Sequence, residues 1–408
     1  MAELTSRQRV LMTLQHREPD RVPIDLGGMD STGITAKAYQ NLKDYLGIAE
    51  GIPQVYDPYQ QVVKPEEPVL RRVGADVLPV PLEPREWRTD TLPDGRSLVT
   101  YPAQWHTELQ PDGSELAFDP QGNAIAWRSA VGWYFEPINP PLAKAETIAD
   151  IEKARPIIER FDWPFFADQS WEELGSRARR LHDGTDYALM GNFCAHFLAA
   201  GQMLRGFENF MMDLVGNPAL CDALMNALLE TYMQRFEHFA QAVGRYVQVV
   251  NINDDLGTQD APQMSARTYR ARIKPYHAAL CQFIKSRCGA AVFLHSDGAI
   301  EPLIPDLIEA GIDILNPIQV SAKGMDPAEL KRKYGRELVF WGGGCDTQFV
   351  LPFGTPDQVR EEVKRRLDQL MPGGGFVFAA VHNIQPEVPP ENVMAMYETA
   401  LEFGRYWP

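Results

Sequence analysis

Residues 290–298 read AAVFLHSDG, and this stretch is the strongest single indicator of the fold. Five apolar residues lead directly to His295, Ser296, Asp297 and Gly298. A short apolar run that ends in polar residues and glycine is typical of a buried strand whose end delivers side chains to a pocket. On a strand, His295 and Asp297 point to the same face because they are two residues apart. The pair predicts a metal site or a proton-transfer pair, and the alternative is a polar cap that only turns the chain.

The same pattern of an apolar strand followed by a helix recurs along the chain. Strands are predicted to begin near residues 22, 75, 187, 247, 290, 312, 338 and 376. This alternation predicts an α/β fold with a parallel sheet, and eight units predict closure into a (β/α)8 TIM barrel. An open doubly wound sheet is the alternative, but no G-x-G-x-x-G follows the first strand. We expect residues 1–408 to form this single domain.

Residues 85–137 interrupt the alternation. They contain four tryptophans and the turn sequences Pro-Asp-Gly (93–95 and 111–113) and Pro-Gln-Gly (120–122), each between extended runs. Turns at this spacing predict an antiparallel β meander that is inserted in the barrel or packed over it. Such a β-rich subdomain could serve as a lid on the barrel mouth.

Charge and cysteine content limit the class of protein. The net charge of −16 repels phosphate groups, which predicts no nucleic-acid partner and no anionic membrane partner. The cysteine count of five is odd and no CxxC pair occurs, so a reducing compartment is favoured over a disulfide framework. The start MAELTSRQRV has no apolar signal core, and no stretch reaches about 18 apolar residues. We therefore expect a cytoplasmic protein without a membrane segment.

Polar side chains collect at the predicted carboxyl ends of the strands, where TIM barrels carry their active sites. These residues are Asn192, Asp254, Asp255, His295, Asp297, Asn316, Gln319, Cys345, Asp346, His382 and Asn383. Each one alone could be a cap or turn residue, but their presence at nearly every strand end indicates a site. The residues expected to contact a small-molecule substrate are Asn192, Asn316, Gln319 and Asn383.

Two kinds of chemistry fit these residue types. The candidate metal ligands are His295, Asp297, Cys345 and His382. Imidazole, carboxylate and thiolate groups all bind Zn²⁺, and three protein ligands with an open position would activate water, an alcohol or a thiol. The metal-free alternative uses His382 or His295 as an acid or base, with Asp254 or Asp255 as its carboxylate partner.

Five longer segments have a recognisable order and spacing. They are MGNFCAHFLAAGQMLRGFENFMMDLVGNP (190–218), NINDDLG (251–257), FLHSDGAIEPLIPDLIEAGIDILNP (293–317), WGGGCDTQFVLPFGTPDQVREEV (341–363) and FVFAAVHNIQPEVPPENVMAMYETA (376–400). From about Arg7 onwards, the chain resembles the uroporphyrinogen decarboxylase superfamily. This superfamily includes the decarboxylase itself and the methyltransferases that act on methyl-corrinoid proteins.

Within this superfamily, the resemblance is closer to the methyltransferase branch. The decarboxylase grips its substrate carboxylates with an arginine-rich segment, but the corresponding residues here read IDLGGMDST (24–32) and contain no arginine. Its Phe-Ser-Asp-Ile segment is replaced by DVLPVPL (76–82). The late histidine of the family corresponds to His382. Decarboxylation of a highly anionic porphyrinogen would thus lack its cationic clamp.

The methyltransferase branch binds Zn²⁺ through a His-x-Cys pair and a later cysteine. By this resemblance, His295 matches the histidine, Asp297 stands at the first cysteine position and His382 at the second. The resemblance implies a variant zinc site formed by these three residues, with Cys345 nearby. Aspartate and histidine are also zinc ligands, so metal binding is compatible with both replacements.

Three functions remain open at this point. The leading hypothesis is a zinc-dependent methyltransferase-like enzyme in which Asp254 or Asp255 orients the substrate. Any corrinoid would arrive on a separate protein, because the chain has no D-x-H-x-x-G segment. The second hypothesis is a metal-free decarboxylase or lyase that uses His382 and Asp254 on a small carboxylated substrate. The third is a non-catalytic ligand-binding barrel. Members of the superfamily are often dimers, so the resemblance also implies a homodimer.

Overall fold

The structure, a computed structural model, describes residues 3–92, 95–161 and 170–406. The helices are α1 (Ser6–Leu14), α2 (Ala36–Leu46), α3 (Glu67–Val73), α4 (Ile148–Lys153), α5 (Arg155–Ile158), α6 (Trp171–Gly184), α7 (Leu198–Arg205), α8 (Phe207–Gly216), α9 (Pro218–Val243), α10 (Ala266–Arg272), α11 (Lys274–Arg287), α12 (Ile304–Glu309), α13 (Pro327–Tyr334), α14 (Val350–Phe353), α15 (Pro356–Leu370) and α16 (Pro390–Phe403).

The strands belong to three sheets. They are β1 (Ile34–Thr35), β2 (Gln54–Asp57), β3 (Val62–Lys64), β4 (Val77–Val80), β5 (Trp87–Thr91), β6 (Leu98–Pro102), β7 (His106–Leu109), β8 (Glu115–Phe118), β9 (Ala124–Arg128), β10 (Glu136–Pro137), β11 (Ala188–Ala195), β12 (Val249–Asn253), β13 (Ala291–His295), β14 (Ile314–Asn316), β15 (Val339–Trp341) and β16 (Phe376–Val377).

The central sheet contains seven parallel strands in the order β4, β11, β12, β13, β14, β15, β16. These strands lie at seven of the eight predicted positions. Because they follow one another in chain order and run parallel, all their carboxyl ends meet at one side of the sheet. The prediction that the polar strand ends converge therefore has a structural basis.

The eighth predicted strand, near residue 22, is reduced to single bridges. Ile24 forms a parallel bridge with Phe378, just after β16, and the Asp25 amide donates to the Phe378 carbonyl at 2.8 Å. On its other side, the Ile24 carbonyl accepts the amide of Asp76, just before β4, at 2.7 Å. Pro23 has no amide hydrogen to donate, which limits regular pairing. The segment nevertheless joins the two edges of the sheet, which gives a TIM-barrel-like fold.

Helix boundaries follow local chemistry. The Thr5 and Thr355 side chains open α1 and α15 with capping boxes, as their sequences predict. Residues 266–287 form two helices, α10 and α11, and not one continuous helix. Pro275 lies in the first turn of α11, and its missing amide hydrogen prevents α10 from continuing. Within the described ranges, no helix combines the length and the apolar character needed to cross a membrane.

Residues 85–137 contribute to the two other sheets. β5 and β6 form an antiparallel pair at the edge of a sheet with the order β1, β3, β2, β6, β5. β7 to β10 form a separate antiparallel sheet around Trp105 and Phe135. Residues 93 and 94, in the first predicted turn, lie outside the described residues. That this stretch is an inserted lid stays a prediction.

Candidate metal centre

His295 is the last residue of β13 and is held between its two neighbouring strands. It is in register with Asn253 on β12 and with Asn316 on β14. Its side chain is buried, with 5% of the residue exposed. The apolar run before it fills the sheet, so the imidazole is the first polar group to reach the carboxyl end. This position is the one that the sequence predicts.

Asn316 determines which nitrogen of the His295 ring is available. The side-chain nitrogen of Asn316 donates to the Trp341 carbonyl at 2.8 Å, which turns its oxygen toward His295. This oxygen lies 2.7 Å from Nδ1 of His295 and accepts the hydrogen of that nitrogen. The lone pair of Nε2 therefore points outward, where the Ser31 hydroxyl lies at 3.3 Å. A neutral imidazole in this tautomer is ready to bind a metal through Nε2.

His382 is held in an equivalent way from the side of the antiparallel sheet. The Tyr134 hydroxyl donates to Oδ1 of Asn383 at 2.7 Å and accepts from Nε2 of Gln385 at 2.7 Å. Its oxygen lies 3.4 Å from Nδ1 of His382, so it can also accept the hydrogen of that nitrogen. Nε2 of His382 then faces Asp297.

Asp297 lies between the two histidines, in the loop after β13. Its backbone amide donates to Oδ1 of Asp255 at 3.0 Å. The loop is packed backbone against backbone, because a Cβ atom on Gly298 would lie 2.4 Å from the carbonyl carbon of Gly257. Gly298 also has a φ of +94°, so a larger residue would be strained there. These two glycines bring Asp255 and Asp297 together.

Three potential ligand atoms converge on one point of this site. Those of His295, Asp297 and His382 all lie within 4.8 Å of one another. Oδ2 of Asp297 is 3.7 Å from Nε2 of His295 and 3.5 Å from Nε2 of His382. Two tetrahedral ligands bound about 2.0–2.1 Å from zinc are about 3.4 Å apart. The spacing and the donor types therefore fit a three-ligand metal site.

The charges around His295 change its proton affinity. Burial alone would lower the pKa of His295, but the carboxylates of Asp297 and Asp255 outweigh it and raise that pKa above its ordinary value. Burial and the nearby Asp297 carboxylate raise the pKa of Asp255 in turn. Without a metal ion, His295 thus holds a proton more strongly than an ordinary histidine does.

A large cleft opens at these residues. Its volume is about 1610 Å³, above the roughly 300–1,000 Å³ of common small-molecule sites. His295, Asp297 and His382 line it, and residues 119–125 and 134–139 of the antiparallel sheet region form another part of its wall. The open side of the three-ligand cluster therefore faces a space that can hold a substrate and a second reactant.

Asp254 is the first of two predicted site residues that the structure separates from this cluster. Its carboxylate accepts the backbone amides of Phe197, Leu198 and Ala199 at 2.8–3.0 Å and contacts His277 at 3.0 Å. Burial would raise the pKa of Asp254, but the His277 and amide hydrogen bonds lower it. The carboxylate thus caps α7, although Asp254 also lines the cleft, and its catalytic or substrate-orienting role stays a prediction.

Cys345 is the second residue that lies apart. It is fully buried in the main apolar core and is not part of the three-ligand cluster. Gly342 and Gly343 have φ angles of +85° and +89°, and they turn the chain after β15. Burial raises the pKa of the Cys345 thiol well above its usual range, which disfavours the thiolate that would bind a metal. The structure therefore does not bring Cys345 to the metal ligands as the sequence predicts.

The four amide side chains predicted to bind substrate have different positions. Asn192 and Gln319 line the cleft, but both side chains also bond to the backbone. Asn192 bonds to Val80 and Gly28, and Gln319 bonds to Gly298. Asn383 lines the cleft and is bound to Tyr134, Gln60 and Gln385. Asn316 positions His295, as described above. Substrate contact by these amides stays a prediction.

Sequence reasoning missed several residues of the site. The missed residues are Asp30, Ser31, Tyr56, Asp57, Gln60 and Tyr134, which all line the cleft. They come from the segment after the first predicted strand, from β2 and the turn that follows it, and from the antiparallel sheet region. A signal was present in part, because QVYD (54–57) is a short strand that ends in a carboxylate. Its contact with the barrel mouth depends on tertiary packing that no local pattern records.

Comparison with known proteins identifies the family. The family model described as Uroporphyrinogen decarboxylase (URO-D) matches residues 137–403. An uroporphyrinogen decarboxylase from Bacillus cereus is 25% identical over 269 residues, which are 64% of this chain and 69% of that protein. One from Thermus thermophilus is 27% identical over 216 residues, 51% of this chain and 56% of that protein.

A solved structure supports the fold. A methyltransferase from Methanosarcina mazei aligns with a TM-score of 0.55 over 98% of this chain and 99% of its own, at 19% sequence identity. At this identity the likeness concerns the fold alone. The family match over residues 137–403 shows that the chain belongs to the uroporphyrinogen decarboxylase family.

Proposed function

We propose that the protein is a methyltransferase-like enzyme that uses a metal ion, zinc, held by His295, Asp297 and His382. The observation that carries this proposal is the orientation of both imidazoles. Asn316 and Tyr134 occupy the two Nδ1 atoms, and both Nε2 atoms face Oδ2 of Asp297. Fixed ring orientation of this kind is characteristic of metal-binding histidines. When bound, zinc would supply Lewis acidity at the open position.

Other residues around the open metal position bind the reactants and accept a proton. The cleft holds the methyl donor, a small methylated substrate or a methyl-corrinoid on a separate protein, together with the acceptor. The Asp255 carboxylate, 3.7 Å from Nε2 of His295, takes the proton that an alcohol, thiol or amine acceptor loses as it gains the methyl group. Residues 119–125 and 134–139 cover part of the cleft, which supports a role for this region as a wall or lid over the reactants.

The proposal is tested by methyl transfer from methylcobalamin, followed by the visible spectrum of its cobalt. With zinc-loaded protein and a panel of thiol, alcohol and amine acceptors, we expect metal-dependent loss of the methyl–cobalt spectrum. His295→Ala and His382→Ala should lower the rate at least about 100-fold, whereas Cys345→Ala should retain it. Methyl-transfer activity that is retained in both histidine variants, or that is unchanged when zinc is removed, would contradict the proposal.

A metal-free carboxy-lyase is the second candidate. It is favoured by the relatives named uroporphyrinogen decarboxylase and by the contact between His295 and Asp255. Asp30, Asp57, Asp255 and Asp297 all line the cleft, so a substrate with many carboxylates would meet like charges. This candidate predicts CO₂ release from a small carboxylated substrate that is unaffected by a chelator. The methyltransferase proposal predicts no such release.

A further inference from the structure

Two further carboxylates lie in the cleft beside the metal centre. Oδ2 of Asp30 accepts the side-chain amide of Gln60 at 3.0 Å, whereas its buried Oδ1 has no hydrogen-bond partner among the described residues. Oδ1 of Asp57 accepts the backbone amides of Tyr59 and Gln60 at 2.9 and 3.2 Å. A buried acceptor without a donor costs free energy, and a bound ligand or ion that supplies the missing donor or charge would remove this cost.

Tyr56 provides an independent observation at the same place. The residue lines the cleft, is 7% exposed, and has a buried hydroxyl without a hydrogen-bond partner in the described chain. Burial first, and then the carboxylates of Asp30 and Asp57, raise the pKa of Tyr56 well above its usual range. The hydroxyl therefore stays neutral, and among the described residues it has neither a donor nor an acceptor as a partner.

The negative charge of this region is only partly compensated, because His295 interacts with Asp30. Burial and the neighbouring Asp30 carboxylate raise the pKa of Asp57 to about 7, and the opposing groups are the neutral amides of Gln60 and Tyr59. Arg160 also reaches the cleft lining but is exposed to solvent. Two neighbouring carboxylates are unfavourable when both are ionised, and the imidazole that interacts with Asp30 belongs to a proposed metal ligand, His295. A bound cation would remove this cost.

Aromatic rings complete the surroundings. Tyr59 and Phe135 line the cleft, and Trp105 packs edge to face against both, with ring centroids 5.2 and 5.1 Å apart. This packing makes the two rings a rigid part of the wall. Carboxylates beside aromatic rings are the surroundings that favour organic ammonium groups, through charge and through cation–π attraction. A bare divalent metal ion would gain nothing from the rings.

We propose that Asp30, Asp57 and Tyr56 bind a protonated ammonium group of the small substrate, so that the substrate is an amine. This inference rests on the proposed function for the reaction at the metal centre. The ammonium subsite is connected to that centre in two ways. Ser31, next to Asp30, contacts Nε2 of His295, and Gln60 bonds both Asp30 and Asn383, next to His382. The amine would thus lie beside the open metal position.

Calorimetry with an isosteric pair of probes tests the charge requirement. The probes are N,N-dimethylethanolammonium chloride and its neutral carbon isostere 3-methylbutan-1-ol, each titrated into protein loaded with one equivalent of zinc. We expect the ammonium to bind at least about 10-fold more tightly, as charge-assisted hydrogen bonds predict. Asp30→Asn and Asp57→Asn should each remove most of this preference. Glu136→Gln is the matched control, because this exposed carboxylate lines the same cleft, and the preference should survive it.

The same experiment separates this inference from the proposed function. His295→Ala and His382→Ala should lose zinc yet keep the ammonium preference, whereas Asp30→Asn and Asp57→Asn should keep zinc and lose the preference. Equal binding of the two probes would overturn the ammonium subsite, and so would a preference unchanged in both asparagine variants. A second zinc equivalent that disappears in Asp57→Asn would also overturn it, because the carboxylates would then form a metal site.

Discussion

Oδ1 of Asn316 lies 2.7 Å from Nδ1 of His295, and this contact defines the metal-binding face of the imidazole. The Asn316 amide is itself anchored on the Trp341 carbonyl, so the ring is oriented by the strand next to its own. The site is therefore preorganised by the parallel sheet, and the metal does not have to pull its ligands together. Ligand sets supported in this way bind metals more tightly than unsupported ones.

Asn316→Ala is expected to weaken zinc binding by about 10–100-fold, because Nδ1 loses its acceptor and the ring can rotate or change tautomer. The measurement is competitive zinc titration against a chromophoric chelator. Asn192→Ala is the matched control, since Asn192 is also a buried amide of the cleft with two backbone hydrogen bonds but does not contact an imidazole. Equal zinc affinities in the two variants would show that Asn316 has no positioning role.

Tyr134→Phe tests the support of the second imidazole. The change removes the acceptor beside Nδ1 of His382 and the donor to Asn383, so we expect zinc affinity to fall by about 10-fold. Tyr101→Phe is the control, because Tyr101 packs in the same aromatic region away from the histidines. The same chelator competition serves for both variants. Unchanged zinc affinity in Tyr134→Phe would show that the antiparallel sheet region does not support the metal site.

Zinc binding is expected to weaken as the pH falls, because protons and metal compete for Nε2 of His295. Against the opposing effect of burial, Asp297 and Asp255 raise the pKa of His295 above 6.5, so competition begins at a higher pH than for an ordinary histidine. Below that raised pKa, affinity should fall by up to about tenfold per pH unit. Asp255→Asn should shift the fall to lower pH. An affinity that is flat between about pH 5.5 and 8 would contradict this prediction.

Replacing Asp57 with the neutral Asn is expected to raise the free energy of unfolding by an amount that depends on pH. Its pKa is raised from 3.8 to about 7, so the native state favours the protonated form and wild-type protein loses stability as the pH rises through this window. Asp57→Asn avoids this loss. Its stability relative to wild type should grow by about 1–2 kcal/mol between pH 5 and pH 8, after allowance for partial exposure. Denaturant unfolding at both pH values measures it, and an equal difference at both would refute the assignment.

Much of the fold could be predicted from the sequence because its strands are apolar runs with polar ends. β4 and β11 to β16 lie at seven of the predicted positions, and the capping boxes at Thr5 and Thr355 open helices. The segment near residue 22 departs from regular pairing, since its bonds depend on distant partners such as Phe378. The break before α11 follows from Pro275, whose missing amide hydrogen fits only the first turn of a helix.

The candidate site was only partly predictable. His295, Asp297 and His382 could be named because strand ends converge in a barrel and because of the family resemblance. Asp254 and Cys345 also follow strands, but the direction of a side chain after a strand depends on the turn. Asp254 turns to the first amides of α7, and the glycines before Cys345 return it to the core. Tyr134 and Asp57 belong to segments whose position over the barrel mouth is set by tertiary packing.

The most direct test of the central claim is the zinc content of purified protein by elemental analysis, after saturation with zinc and gel filtration. We expect one zinc per chain in wild type and in Cys345→Ala, and less than about 0.1 in His295→Ala, Asp297→Ala and His382→Ala. Circular dichroism of each variant checks that the fold is retained. Folded wild-type protein without stoichiometric zinc, or histidine variants that retain it, would contradict the metal centre.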